Sequence, residues 1–314
     1  MRDFVWLQAV SYLCGLVFVF GVVIRAYRYS KMPIHLRWDL HPMPSEEKRL
    51  RGRSQYEEPG WWQKPRQKNR IKEAFYIAKE IFFFKQVFKQ NKGLWFFGYS
   101  LHLGFYLYLI WLLLLTFGAI SAPGRFAGPV VSFGPIEKIL DFLTLGTGVA
   151  SFVLGMLGTI GLFVKRMTEE NLRRYTSRLD YFNLLFIAGI FASGLWSWWS
   201  SDRTFFVARR YLGSLVTWTR VFDMDTATAL HVLLASAFVA YMPFTTMMHY
   251  VAKYFSFHNV RWDDEPNLRG SEIERKLEKV LNEKVSWSAP HISPGGTWRD
   301  LTQSEKGNSK RSVC

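Results

Sequence analysis

The chain has 314 residues, 40 Lys and Arg against 25 Asp and Glu, a formal net charge of +15 and 17% aromatic residues. A mean hydropathy near zero hides two segregated populations: apolar runs of roughly 20 residues, enough for a helix to cross a hydrocarbon core of about 30 Å, alternate with strongly charged stretches, so the basic charge sits at membrane edges and not on a nucleic-acid surface. Only two cysteines occur, Cys14 in an apolar run and Cys314 at the end, which excludes a disulfide framework, a CxxC pair and an iron–sulfur cluster held by this chain.

An all-α integral membrane protein follows, a five-transmembrane-helix bundle with added cytoplasmic amphipathic helices. Predicted spans cover about 4–24, 94–118, 139–164, 181–200 and 228–252. The first, 1–24 with its flank, is too long for a signal peptide, lacks a small-residue cleavage pattern and is followed by Arg25, Arg28 and Lys31, so it is expected to persist as an anchor. Residues 25–93 form a basic loop in which Ile71, Phe75, Ala78, Phe82, Phe83 and Val87 recur at helical spacing between lysines. That pattern predicts an amphipathic helix on the inner membrane surface; the alternative, a solvated linker, leaves a run of Phe in water. Trp196, Trp198 and Trp199 end the fourth span, where amphipathic rings settle at an interface. In the tail, 253–314, Ser271 and Glu274 have capping-box spacing and open a helix with Ile273, Leu277, Val280, Leu281 and Val285 on one stripe, a surface suited to docking a partner. Residues beyond about 286 read as irregular.

Orientation follows from Lys and Arg, which are retained on the cytoplasmic side. Segments 25–92, 165–178 and the tail after 252 hold 17, 5 and 11 of them, whereas the opposite set holds 7. The N-terminus is therefore expected outside and the C-terminus in the cytoplasm.

His102, His231 and His249 fall within the predicted spans, where such side chains are costly and usually functional. On a continuous fifth helix, His231 and His249 would be five turns and about 27 Å apart and face the same way. His102 and His249 then share the inner half of the bilayer and could clamp one object. Imidazole pairs on neighbouring helices are how helical bundles hold a low-spin haem, which makes 94–252 a four-helix haem-binding region, with Gly104 and Ala235 expected to leave room for a flat ring. The alternative is that each His hydrogen-bonds across helices; zinc lacks an accompanying Cys or carboxylate at a common depth. His35, His41, His258 and His291 read as surface or interface residues.

The run from His231 to His249, with Pro243-Phe244 between, resembles the last span of the cytochrome b (gamma) subunit of respiratory nitrate reductase. Leu101-His102-Leu103-Gly104 is similar to the start of that family's second span, Pro135-Ile136-Glu137 to the start of its third and Asp180-Tyr181 to the start of its fourth. The longer first loop and the run from Lys253 to Asp264 look more like the membrane subunit of the dissimilatory sulfite-reductase-associated complex, a heterodisulfide-reductase-like menaquinol oxidoreductase. The resemblance implies a multi-pass protein of a prokaryotic plasma membrane with haem b on His102 and His249. It further implies menaquinol as substrate, a cytoplasmic iron–sulfur heterodisulfide-reductase-like subunit as partner, and other membrane and outer-face cytochrome subunits. His231 would be a ligand of a second haem, but the family's partner histidine falls at Leu112, and Met156, chemically able to ligate, lies near mid-depth. Glu137 and Lys138 stand close to where the family places its quinol site; ordinary snorkelling is the alternative. A cofactor-free anchor and a small transporter remain open, although no internal repeat supports transport.

Overall fold

In hydrocarbon a chain satisfies its N–H and C=O groups only within a helix or a closed barrel, and the apolar runs resolve as helices. The computed structural model describes residues 4–32, 70–121, 134–220, 223–260, 269–288 and 295–303. In order, the helices are α1 Val5–Ser30, α2 Arg70–Phe83, α3 Lys85–Gln90, α4 Lys92–Ser121, α5 Pro135–Thr168, α6 Glu170–Arg174, α7 Arg178–Ser200, α8 Phe206–Thr217, α9 Thr226–Tyr241, α10 His249–Val260, α11 Glu272–Leu281 and α12 Trp298–Gln303. Among the described residues there is no strand, only an isolated bridge between Lys284 and Thr297. Five helices are long and apolar enough to cross a membrane: α1, α4, α5, α7, and α9 extended by the 3-10 turn Met242–Phe244. His35, His41, His291, Asp263, Asp264 and the tail beyond Gln303 lie outside the described residues.

The expected fifth span of 228–252 is corrected. Pro243 has no N–H to continue the ladder, so α9 stops at Tyr241, two 3-10 turns follow, and α10 begins at His249 itself. The five-turn phase relation between His231 and His249 therefore does not hold.

Contacts divide the chain into two compact units, Met1–Val22 with Lys79–Thr246, and Val23–Ala78 with Met247–Cys314. Within the first, α4 packs on α5, α5 on α7, and α7 on α9. The α4–α5 pair meets backbone to backbone. A methyl group at Gly158 would lie 2.3 Å from the Leu101 nitrogen, and one at Gly104 would lie 2.6 Å from the Gly155 nitrogen. Gly104 thus admits α5 and does not leave room for a flat ring. At the other end of the pair Gly148 receives the Trp111 indole, so the two helices run antiparallel, with residue 102 level with about residue 157. Two buried hydroxyls on α5 return to their own helix: Thr144 donates to the Leu140 carbonyl at 2.7 Å and Thr159 to that of Gly155 at 2.6 Å.

Between α7 and α9 lies α8, which the sequence reading did not anticipate. Its Arg209 pairs with Asp141 of α5 at 2.5 Å and reaches Thr144 at 3.3 Å. The start of α1 is tied to α8, its flank and α9 by polar bonds: Gln8 donates to Ser214 and to the Thr219 carbonyl, both at 2.8 Å, Tyr12 to the Leu215 carbonyl at 2.6 Å, and Ser11 bonds Tyr211 and Ser236. Phe4, Leu7, Tyr211 and Met224 form the apolar core beneath them. Trp196 and Trp199 are exposed at the end of α7, with Arg203 stacked on Trp199 at 4.3 Å. In the second unit the capping expectation holds: Ser271 accepts from the Glu274 N–H at 3.2 Å and α11 follows, with Val280 and Val285 buried.

Two outcomes test this packing. Gly158→Ala should destabilise the detergent-solubilised protein by about 1–3 kcal/mol, because backbone cannot yield, whereas Gly146→Ala, with nothing within 4 Å, should be neutral or stabilising by up to about 1 kcal/mol; thermal unfolding of both variants checks the contrast. Asp225 caps α9 through the Thr228 N–H at 2.8 Å, and although burial raises its pKa, the hydrogen bonds from Thr228 and Ser201 outweigh burial and leave it below the usual carboxylate value. A depressed folded pKa means stability that is present above the unfolded pKa and lost as pH falls through the folded one. Asp225→Ala should cost about 0.5–2 kcal/mol at neutral pH and progressively less as pH falls from the unfolded pKa through the folded one, read from unfolding midpoints across acid pH.

Candidate functional site

His102 sits in the first half of α4, half-buried, on the same face as Tyr99 and Tyr106 one turn to either side. Its Nδ1 lies 2.8 Å from the Gly98 carbonyl. A carbonyl only accepts, so Nδ1 carries the proton and Nε2 the lone pair, the arrangement by which a backbone carbonyl orients a metal-ligating imidazole. The ring stands edge-on to Phe84 at 4.6 Å. Phe84 occupies the left-handed region at φ 47° and interrupts the helix between α2 and α3, so Val87 does not continue the stripe of Ile71 and Phe75. This break is held on the His102 face of α4: Phe84 also meets Tyr99, Tyr106 donates to the Ile81 carbonyl at 2.9 Å, and Phe82 packs on the Tyr106 ring. His102 therefore fits an axial ligand of a haem.

His249 is exposed and opens α10 in the second unit. It occupies the first turn after the Pro243 break, where helical phase is set by the turns and not by α9.

His231 has a different environment. At 5% exposure it is buried between α4, α5 and α7. Its Nδ1 is 3.1 Å from the Ile190 carbonyl and 3.1 Å from Ser193 Oγ, and its Nε2 is 3.1 Å from the Tyr108 hydroxyl. Because the Ile190 carbonyl must receive the proton, Nδ1 donates and Nε2 accepts from Tyr108. Rings enclose the imidazole: Phe152 at 5.4 Å, Tyr108 at 6.0 Å and Trp111 at 6.3 Å, with Phe205 behind Trp111 at 5.0 Å. Of these neighbours the sequence reading named none. Tyr108, a turn before Leu112, and Trp111, directly before it, at i, i+3 on one face of a lipid-spanning helix, were the available signal.

Glu137 and Lys138 are not brought to His102 or His231. Glu137 accepts from the Gly134 N–H at 2.8 Å at the start of α5, while Lys138 is exposed. With residue 102 level with about residue 157, Glu137 is some 20 residues further along α5, about 30 Å by helical rise. Among the described residues, no group of three or more His, Cys, Asp and Glu is placed to hold a metal ion.

Comparison with known proteins bears on the same segment. No curated protein and no solved structure matches the chain. The family described as the nitrate reductase gamma subunit matches residues 100–262, just over half of the sequence, including His102, His231 and His249. Together with five membrane-length helices this shows a multi-pass plasma-membrane protein. The chain belongs to the nitrate reductase gamma subunit family, and is thus a haem b cytochrome acting as the membrane electron-transfer subunit of a multisubunit oxidoreductase.

Proposed function

We propose that the protein exchanges electrons between the menaquinol pool and a cytoplasmic iron–sulfur subunit of the heterodisulfide-reductase type, oxidising menaquinol in respiration linked to sulfur or sulfite reduction. The carrying observation is His102, whose tautomer is fixed by the Gly98 carbonyl at 2.8 Å in a chain of a cytochrome b family. His102 and His249 would hold haem b as its two axial ligands, and the haem supplies the reversible one-electron chemistry that side chains lack.

The rest of the chain has separable tasks in this reading. Phe84, Tyr99 and Tyr106 cover the His102 face of α4 and keep water from it. The bias of Lys and Arg places α2, α11 and the tail in the cytoplasm with the N-terminus outside. There α11, with acidic residues in its first turn and Lys279 in its last, offers an amphipathic face to the iron–sulfur partner. Outer-face cytochrome and further membrane subunits would complete the assembly. A quinol received at Glu137 and Lys138 would give up its protons outside, and would need a further redox group at the depth of His231 to bridge the interval to His102.

His102→Ala and His249→Ala should each abolish the reduced-minus-oxidised b-type signal while the protein remains membrane-inserted; unchanged spectra in both variants would exclude these ligands. A reduced menaquinone analogue added to the purified wild-type protein should generate that same reduced signal, and a failure to do so in haem-loaded protein would exclude the quinol role.

A further inference from the structure

The depth of His231 is where this family would hold a second haem, and the residues present do not fit one. An axial bond to His231 requires the Nε2 lone pair, because Nδ1 carries the proton donated to the Ile190 carbonyl. The Tyr108 hydroxyl already lies on that lone pair at 3.1 Å. One turn beyond Tyr108 stands Leu112, which has no ligating atom.

A macrocycle also needs a slot between helices, and this space is filled. Phe152 is fully buried, Trp111 and Phe205 are each 2% exposed, and the three rings pack on one another at 5.0–6.0 Å with the imidazole against Phe152 and Trp111. Each ring is seated in a notch on a neighbouring helix. A methyl group at Gly148 would lie 2.6 Å from both the Trp111 indole nitrogen and the Phe205 ring, and one at Gly194 would lie 2.5 Å from the Phe152 ring. The indole N–H of Trp111 has no hydrogen-bond partner, yet it faces the α5 backbone at Gly148 and not an opening. Close packing of this kind does not admit a large ligand without displacing several side chains off their rotamers.

We infer that the chain carries a single haem b, and that His231 is an interhelical clasp joining α9 to α4 through Tyr108 and to α7 through Ile190 and Ser193, within an aromatic plug that replaces the second haem. This rests on the reading of His102 and His249 as haem ligands. With no redox group at the depth of His231, a quinol at Glu137 has no intermediate carrier, so the quinone ring must be received nearer the level of His102.

Pyridine haemochrome on the full chain, purified in detergent and normalised to protein by quantitative amino-acid analysis, reads the count directly. The expected value is one haem per chain, unchanged in His231→Ala and Tyr108→Phe, with both variants unfolding at lower temperature than wild type. His231→Gln, which can retain one donor and one acceptor, should recover part of the thermal loss at the same haem content. Two haems per chain, or a fall in haem content on replacing His231 in protein that remains folded, would overturn the proposal. His102→Ala should take the count from one to zero. A wild-type count of zero would instead refute the haem reading from which the proposal starts, a result distinct from a count of two.

Discussion

The contact of α4 with α5 at Gly104, Gly155 and Gly158 sets the geometry of everything else in the first unit. Lipid tails are as apolar as the side chains, so helices in a bilayer gain nothing from hiding Leu from their surroundings. They are held by close backbone approach and by interhelical polar bonds, the latter averaging about 0.6 kcal/mol each. The glycines supply the approach: they bring two backbones close enough that even one methyl group would collide. That contact fixes which face of α4 is left over for other purposes. His102 lies on that remaining face, and Phe84 covers it.

Polar side chains in the spans obey the same constraint from the other side. Thr144, Thr159 and Ser100 return their protons to carbonyls of their own helix, while His231 and Ser197 spend theirs across helices, His231 on the Ile190 carbonyl and Ser197 on Thr228 at 2.6 Å, whose own proton goes to Asp225. His231 and His102 show how the same residue type diverges with its partners. One has a carbonyl on Nδ1 and a hydroxyl on Nε2. The other is oriented by a carbonyl four residues back on its own helix.

Much of this was legible in the sequence because it is written in local pattern. Span length and the pause of charge within the apolar runs locate the first four membrane helices to within six residues, and Ser271 with Glu274 announces α11. The spacing of His231 and His249 around Pro243-Phe244 carries the family. The geometry drawn from that spacing was not legible, because a proline's effect on helical continuity depends on what the following residues can form. Here they form 3-10 turns and a new helix at His249. The aromatic plug was hidden for another reason. Phe152, Phe205 and Trp111 come from distant parts of the chain, and an aromatic residue in an apolar run looks the same whether it faces lipid or a neighbouring imidazole. Likewise Gly104 reads as open space in one dimension and is a point of closest contact in three.

The fastening of α1 also bears on how the protein reaches its native arrangement during synthesis. Gln8, Ser11 and Tyr12 find their partners at Tyr211, Ser214, Leu215, Thr219 and Ser236, some 200 to 225 residues later. At ribosomal speeds of about 5–20 residues per second, that interval lasts roughly 10–40 s. Throughout it, α1 resides in or at the bilayer with an amide and two hydroxyls that nothing in hydrocarbon can satisfy. Those groups lie near the start of α1 and gain their partners only once α8 and α9 have been made. The polar bonds of α1 thus form late, after α4, α5 and α7 have been synthesised.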